Sequence, residues 1–365
     1  MPTINNPGRW KRALFSLLGD VRGRNFLAHR VLKRAANFGP VTFPIDSASL
    51  KRMLLILPAD RLQTLYQIDN ASALIARYPD ARIMLLAESS MKPLTAMIDA
   101  DEVVEYFPEE KQLFTPALAK LIGQFQGKVD CCCLLTRTAD VPLQYLTGMT
   151  GARLRVGYGG AVDFPFVNLR IDPDPDNHYL PESNSAMAEA LGAKDREAWT
   201  RIVAGSTSAE INDLLRVVRL DGVTRLIGID VLSLFELIGE KGAAECIRAL
   251  MTLANGGLYL YCEETPPSAI AGWLAALALP LISALTIPQT VALLQRTECI
   301  IAGNTLFFGL ATLMGKKAVG VLSEEDLSLY CKPFSMMKGI PCSGKGADME
   351  TLTAVVAAVR ELLGR

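Results

Sequence analysis

The chain has 365 residues, half of them hydrophobic and 21% charged, with a formal net charge of −1. That is enough for about two domains, each with its own core. Its longest apolar run falls short of the roughly 18–20 residues a membrane span needs, and no signal peptide with a small-residue cleavage site opens it. The eight cysteines include Cys131-Cys132-Cys133 inside a strand-like run, where neighbours point to opposite faces and cannot assemble a zinc site. They read as reduced, buried thiols of a cytoplasmic protein.

Charge is uneven. The first 52 residues carry about +8 and the remainder about −9. Within that arm, Arg9 to Ala36 repeats apolar residues at three- and four-residue spacing (Trp10, Leu14, Leu17, Leu18, Val21, then Leu27, Val31, Leu32, Ala35), with arginines and lysines between them. Two readings stand side by side. The apolar face docks on the body of the protein, or residues 1–36 rest on an anionic membrane surface, which would make the protein peripheral on the inner face of the membrane.

Gly39 to Ser49 links the arm to a first strand, Arg52 to Leu57, so residues 1–50 form the arm and linker. Leu62 to Arg77 reads as a helix, Pro79-Asp80 as a turn and Arg82 to Ala87 as a second strand. Strands are expected at Glu102 to Tyr106, Val129 to Leu135 and Arg153 to Tyr158, with helices Pro116 to Phe125 and Val141 to Thr147 between them. Phe164 to His178 reads as irregular. Its DPDPD run is better explained as a solvated linker than as a metal site, because proline fixes the backbone.

Helix Asn184 to Leu191 leads to a boundary at Gly205-Ser206, which divides the rest into domains 51–205 and 206–365. The second half repeats the grammar: helix Ser208 to Val217, strand Thr224 to Ile229, helix Ala243 to Leu253, strand Gly257 to Cys262, and helices Ala269 to Leu277 and Ile287 to Gln295. Glu298 to Leu322 then reads as one strand–helix–strand crossover. Cys299 to Ala302 is its first strand, Asn304-Thr305 offers a side-chain cap for helix Leu306 to Met314, and Ala318 to Leu322 is its second strand. Such a unit sets free backbone N–H groups at the carboxyl end of a parallel strand, where α/β proteins hold phosphate. The last helix, Met349 to Leu363, is expected to cross back over the domain boundary. The fold class that follows is α/β, two Rossmann-like doubly wound domains facing a cleft.

YPDARIMLL (Tyr78 to Leu86), GARLRVGYGG (Gly151 to Gly160) and the Glu298 to Leu322 stretch with its Leu313 to Lys317 ending together resemble the ADP-heptose:lipopolysaccharide heptosyltransferase family of GT-B glycosyltransferases. The resemblance covers Arg52 to the C-terminus. It implies an acceptor-binding N-terminal domain, a nucleotide-sugar-binding C-terminal domain, no cofactor and no metal requirement. The family's Gly-Asp pair after the first strand supplies the catalytic base. Counting back from Pro79 puts that pair on Leu62-Gln63, neither of which matches. Asp60 is the nearest carboxylate, serving only if the loop shifts, with Arg61 and Gln63 beside it on the acceptor side.

The family's Asp-Thr-Gly motif, with a His four residues after its Thr, falls on Asn304-Thr305-Leu306 and Gly309, so only Thr305 survives. Its phosphate-gripping lysine is matched by Lys241, and its ribose-binding acid by Glu263 or Glu264, equally readable as plain strand-end carboxylates.

Other chemistries find little support. His29 and His178 are the only histidines, and neither sits where a Ser-His-Asp centre would form. GIPCSGKG (Gly339 to Gly346) nearly spells a P-loop, but Gly346 replaces the Ser/Thr and no strand is expected to lead into it. Net positive charge confined to the arm argues against nucleic-acid binding. Two functions remain: a divergent glycosyltransferase moving a sugar from a nucleotide diphosphate sugar to a lipopolysaccharide, glycolipid or other surface-glycan acceptor, or a catalytically inactive binding or scaffold protein on the same fold.

Overall fold

The computed structural model describes residues 49–159, 166–174, 178–193, 205–254, 257–332, 336–342 and 349–364, together with Val41 and Ile45. The basic arm over residues 1–36 lies outside them, as do residues 194–204 just ahead of the expected boundary. The described residues divide into two compact units. Residues up to 174 with 184–193 form the first, and 178–183 with 205–364 form the second.

The first unit is one parallel sheet in the order β3-β2-β1-β4-β5-β6, built from β1 (Arg52–Ile56), β2 (Arg82–Glu88), β3 (Glu102–Tyr106), β4 (Cys131–Leu134), β5 (Leu154–Tyr158) and β6 (Leu169–Ile171). Leu54 lies between Met84 and Cys132 in register. Met53 to Ile56 and all of β4 are buried, as strands covered on both faces must be. The helix α1 (Arg61–Arg77) starts where it does because Asp60 is extended and its Oδ1 accepts the Gln63 amide at 2.8 Å. It stops at Tyr78, whose hydroxyl donates to the Leu191 carbonyl at 2.5 Å.

After the short α2 (Lys92–Thr95), α3 (Pro116–Phe125) and α4 (Val141–Met149) each carry a proline in the first turn and a side-chain cap, from Thr115 and Asp140. Their apolar faces pack with Leu54, Ile56, Met84, Cys132 and Leu134. Cys131 and Cys133 share the opposite face of β4 with their sulfurs 3.6 Å apart, and all eight cysteines are free. The strand β6 corrects the reading of Phe164 to His178 as irregular throughout. It is three residues long and only partly buried, too short to show a period.

The short helices α5 (Leu180–Ser183) and α6 (Ser185–Ala190) precede the second unit's α7 (Gly205–Val217). Its sheet has the order β12-β11-β10-β7-β8-β9, again all parallel: β7 (Leu226–Asp230), β8 (Leu258–Cys262), β9 (Leu281–Ser283), β10 (Thr297–Ala302), β11 (Lys317–Leu322) and β12 (Met337–Pro341). The connecting helices are α8 (Val231–Ala254), α9 (Ser268–Ala276), α10 (Ile287–Arg296), α11 (Leu306–Leu313), α12 (Glu324–Tyr330) and α13 (Met349–Leu363). The last of these packs on α8 and on β10, β11 and β12 of its own unit.

Two expectations are corrected here. A strand does lead into GIPCSGKG, since β12 pairs with β11 through Pro341, while residues 343–348 lie outside the described residues. Helix α8 begins directly at Val231 rather than at Ala243, because Val231, Leu234 and Ile238 repeat on one buried face and Asp230 caps the first turn through the Ser233 amide at 3.3 Å. The lone interruption of α8 is Gly239, whose φ of 72° is a conformation that glycine alone adopts without cost.

Candidate functional sites at the two strand-order reversals

Each sheet reverses its strand order once, between β1 and β4 and between β7 and β10. In doubly wound sheets, ligands bind outside the carboxyl ends of the strands at that reversal. At the first reversal, Asp60 is the first carboxylate after β1, with Ala59 before it and Arg61 opening α1. Leu62 and Gln63 lie inside the first turn of the helix, and Gln63 Oε1 is buried without a hydrogen-bond partner. Asp60 is exposed, and among the described residues only its Oδ1 is engaged.

From β4, Leu135 accepts Gln67 Nε2 at 2.7 Å, and the half-buried Arg137 lies with its guanidinium 4.8 Å from the centre of the Tyr158 ring. Tyr158 is fixed in turn by donating to the Asn184 carbonyl at 2.6 Å. Along the same edge, Lys111 pairs with Asp140, the N-cap of α4, at 3.0 Å and with Glu88, at the end of β2, at 3.9 Å.

The second reversal brings together Asp230 from β7, Glu263 after β8, and Gly303, Asn304, Thr305 and Leu306 after β10. Asp230 is 3% exposed, and burial pushes its carboxyl up to about 6. The Ser233 amide bond and the Thr305 hydroxyl facing the carboxyl pull the other way, and the nearby Glu263 charge adds to the rise. Ser233 ties the two strand ends together. Its hydroxyl donates to the Asp230 carbonyl at 3.0 Å and accepts the Gly303 amide at 2.8 Å. A side chain at Gly303 would force its neighbours to shift, because a Cβ there would stand 2.8 Å from Leu237 Cδ1 and 3.0 Å from Ser233 Cβ.

The expected cap of α11 is corrected. Thr305 occupies the N-cap position but makes no capping bond, its hydroxyl facing Asp230 instead, and Asn304 Nδ2 donates to Asp326 Oδ1 at 3.0 Å. Asp326 is already held by Ser323 at the start of α12, which leaves one carboxylate oxygen for Asn304. Lys241 is exposed two residues beyond Gly239, where α8 restarts, and Glu264 is exposed beside Glu263. Asp230 was not singled out from the sequence, although it is the most perturbed carboxylate of this edge.

Among the described residues, no group of three or more His, Cys, Asp or Glu is arranged to hold a metal ion, and no helix is long and apolar enough to cross a membrane.

Two Rossmann-like sheets of one topology in a single chain define the plan of the GT-B glycosyltransferases. Solved structures share it. A glycosyl transferase family 9 protein from Veillonella parvula matches with a TM-score of 0.67 at 12% identity, over 90% of this chain and 100% of that one. The ADP-heptose lipopolysaccharide heptosyltransferase II of E. coli matches with a TM-score of 0.60 at 15% identity, over 86% and 98%. A UDP-N-acetylglucosamine 2-epimerase matches with a TM-score of 0.55 at 11% identity, over 86% and 90%. No family model and no curated protein sequence matches the chain. At these identities the likeness is one of fold, and a fold hosts more than one chemistry.

Proposed function

We propose that the protein is a divergent GT-B glycosyltransferase, which moves a sugar from a nucleotide diphosphate sugar bound on the second unit to a lipopolysaccharide or other surface-glycan acceptor bound on the first. The observation that carries this reading is Asp60, exposed at the carboxyl end of β1 where the strand order reverses. An acceptor hydroxyl at that edge would lose its proton to Asp60 as its oxygen attacks the anomeric carbon, while the nucleotide diphosphate leaves with the glycosidic electron pair. On the donor side, the backbone N–H groups at the start of α11 and the Lys241 ammonium suit the leaving diphosphate, and Glu263 suits a ribose hydroxyl. No metal or other cofactor is needed for this chemistry. We place the work on the cytoplasmic side, with residues 1–36 meeting either anionic lipid or the body of the protein.

A second reading, a catalytically inactive binding or scaffold protein on the same fold, draws on a specific observation. Asp230 stands buried beside the N-terminus of α11, and Ser233 already holds the Gly303 amide, so the protein's own groups occupy part of the surface a diphosphate would use.

Calorimetric titration of the full chain with ADP, UDP and GDP sugars tests both. Binding of one of them is expected, weakened about tenfold by Lys241→Ala, the worth of one charge-assisted contact. Failure of all three nucleotides to bind would exclude the transferase and favour the inactive scaffold.

A further inference from the structure

The strand β3 ends the first sheet, with β2 its single neighbour among the described residues. Its two faces differ. Val104 and Tyr106 turn to the core that α3 and α4 cover, whereas Val103, Glu105 and Phe107 share the other face and are all exposed. Phe107 is 60% exposed, and its amide donates to Glu110 Oε2 at 2.8 Å, so the ring stands in solvent on a fixed backbone. An open strand edge with apolar side chains invites pairing with other chains, and proteins cover such edges with a helix or loop.

The charge around this edge indicates what the cover is. From Pro93 to Glu110 the chain has six acids (Asp99, Asp101, Glu102, Glu105, Glu109 and Glu110) and no lysine, arginine or histidine. Arg82 pairs with Glu102, and Lys92 of α2 pairs with Glu105. Among the described residues no cation pairs with the other four. The complement lies in the same chain. Residues 21–36 hold five lysines and arginines, no acid, and the apolar Leu27, Val31, Leu32 and Ala35 at helical spacing. They are also within reach. Ser49, at the start of the continuous described chain, accepts from Arg153 Nη2 at 2.9 Å, and β1 follows it directly. From β1 to β3 is two strand spacings, about 10 Å, whereas residues 37–48 span up to about 40 Å when extended.

We propose that residues 21–36 dock as a helix on the Val103, Glu105 and Phe107 face of β3, with the apolar stripe on Val103 and Phe107 and the basic residues toward the acids. The arm is then an intramolecular cover for the sheet edge, and anionic lipid has to compete with that edge for it. The docking is independent of whether the protein transfers sugar.

The test is hydrogen exchange of the full-length protein, read at the amides of residues 24–36 and of β3. At low salt both stretches are expected to exchange about tenfold or more slower in the wild type than in Glu105→Lys/Glu109→Lys, the combined worth of a few surface ion pairs, and high salt is expected to narrow the difference. Phe107→Ser is expected to speed both stretches as well. Arg30→Glu/Lys33→Glu/Arg34→Glu is expected to lose the same protection, and combining it with Glu105→Lys/Glu109→Lys to restore part of it, which a merely structural effect of either set would not do. Protection independent of protein concentration is expected for docking within one chain. Protection that rises with concentration would place the arm on a second copy and overturn the proposal. So would arm amides that exchange equally fast in the wild type and the edge variants, or arm protection that appears only with phosphatidylglycerol vesicles and ignores the edge changes, which would assign the arm to the membrane.

Discussion

Asp230→Asn is expected to stabilise the second unit by on the order of 3 kcal/mol at pH 7.5, and to remove a pH dependence that the wild-type protein shows between about pH 4 and 6.5. The carboxyl is 3% exposed and is raised from an ordinary value of 3.8 to about 6, burial being the largest cause. A group whose folded value is raised favours folding fully below its unfolded value, and that contribution is lost as pH rises through the folded value. At pH 7.5 the unit therefore carries a charged, desolvated Asp230 facing Glu263, with the Cys262 thiol also close enough to feel it. Asparagine keeps an oxygen for the Ser233 amide and presents an NH2 toward the acidic side. Hydrogen exchange of the β7 and β10 amides under mild denaturant is the measurement. Faster exchange in the variant at pH 7.5, or wild-type protection that does not rise between pH 7.5 and 5, would sink the argument.

The same residue marks where the sequence stops being legible. Its flanks, LIGI and VLSL, are apolar, and no Gly, Pro, Asn or Ser separates strand from helix, so the acid between them had no loop in which to be solvated. That signal was available. It was obscured because Gly239 and Gly242 interrupt the helical pattern and draw the expected helix start downstream to Ala243.

The longer buried strands were readable for the opposite reason. The runs around β1, β2, β4, β5, β8 and β10 are apolar and bounded by turns or capped helices, and parallel pairing follows from the helices between them. The edge strands β6 and β9 are three residues each, with a single buried position between them, and β12 is mostly half-exposed, so none shows a pattern. Counting back over α1 from Pro79 placed the family's acid at Leu62-Gln63, although the local signal, a carboxylate closing LILPA before a helix, stood at Asp60. Local caps locate a strand end better than distances carried across a whole helix, whose length varies between relatives. The placing of Arg137 over Tyr158 had no signal in the sequence, since it comes from elements that meet only after folding.

For the chemistry, Asp60→Asn is expected to lower the rate of sugar transfer by about 100- to 10,000-fold, the usual worth of a positioned general base, while leaving nucleotide affinity unchanged. The substitution is nearly silent structurally. Asparagine is as good an N-cap as aspartate, and its side-chain oxygen can accept the Gln63 amide that Asp60 Oδ1 now accepts at 2.8 Å. What it removes is the capacity to take a proton, so a fall in rate cannot be assigned to a lost helix start. Far-UV circular dichroism and the urea midpoint are expected to stay within those of wild type. A drop in the rate constant at saturating donor, with the donor's Kd retained, separates lost proton transfer from lost binding. Asp60→Glu, which restores a base on a longer arm, is expected to recover part of the rate. Transfer by Asp60→Asn at the wild-type rate would show that the proton leaves by another group, and would move the search along the same edge to Glu88 and Asp140, the remaining carboxylates beside Lys111.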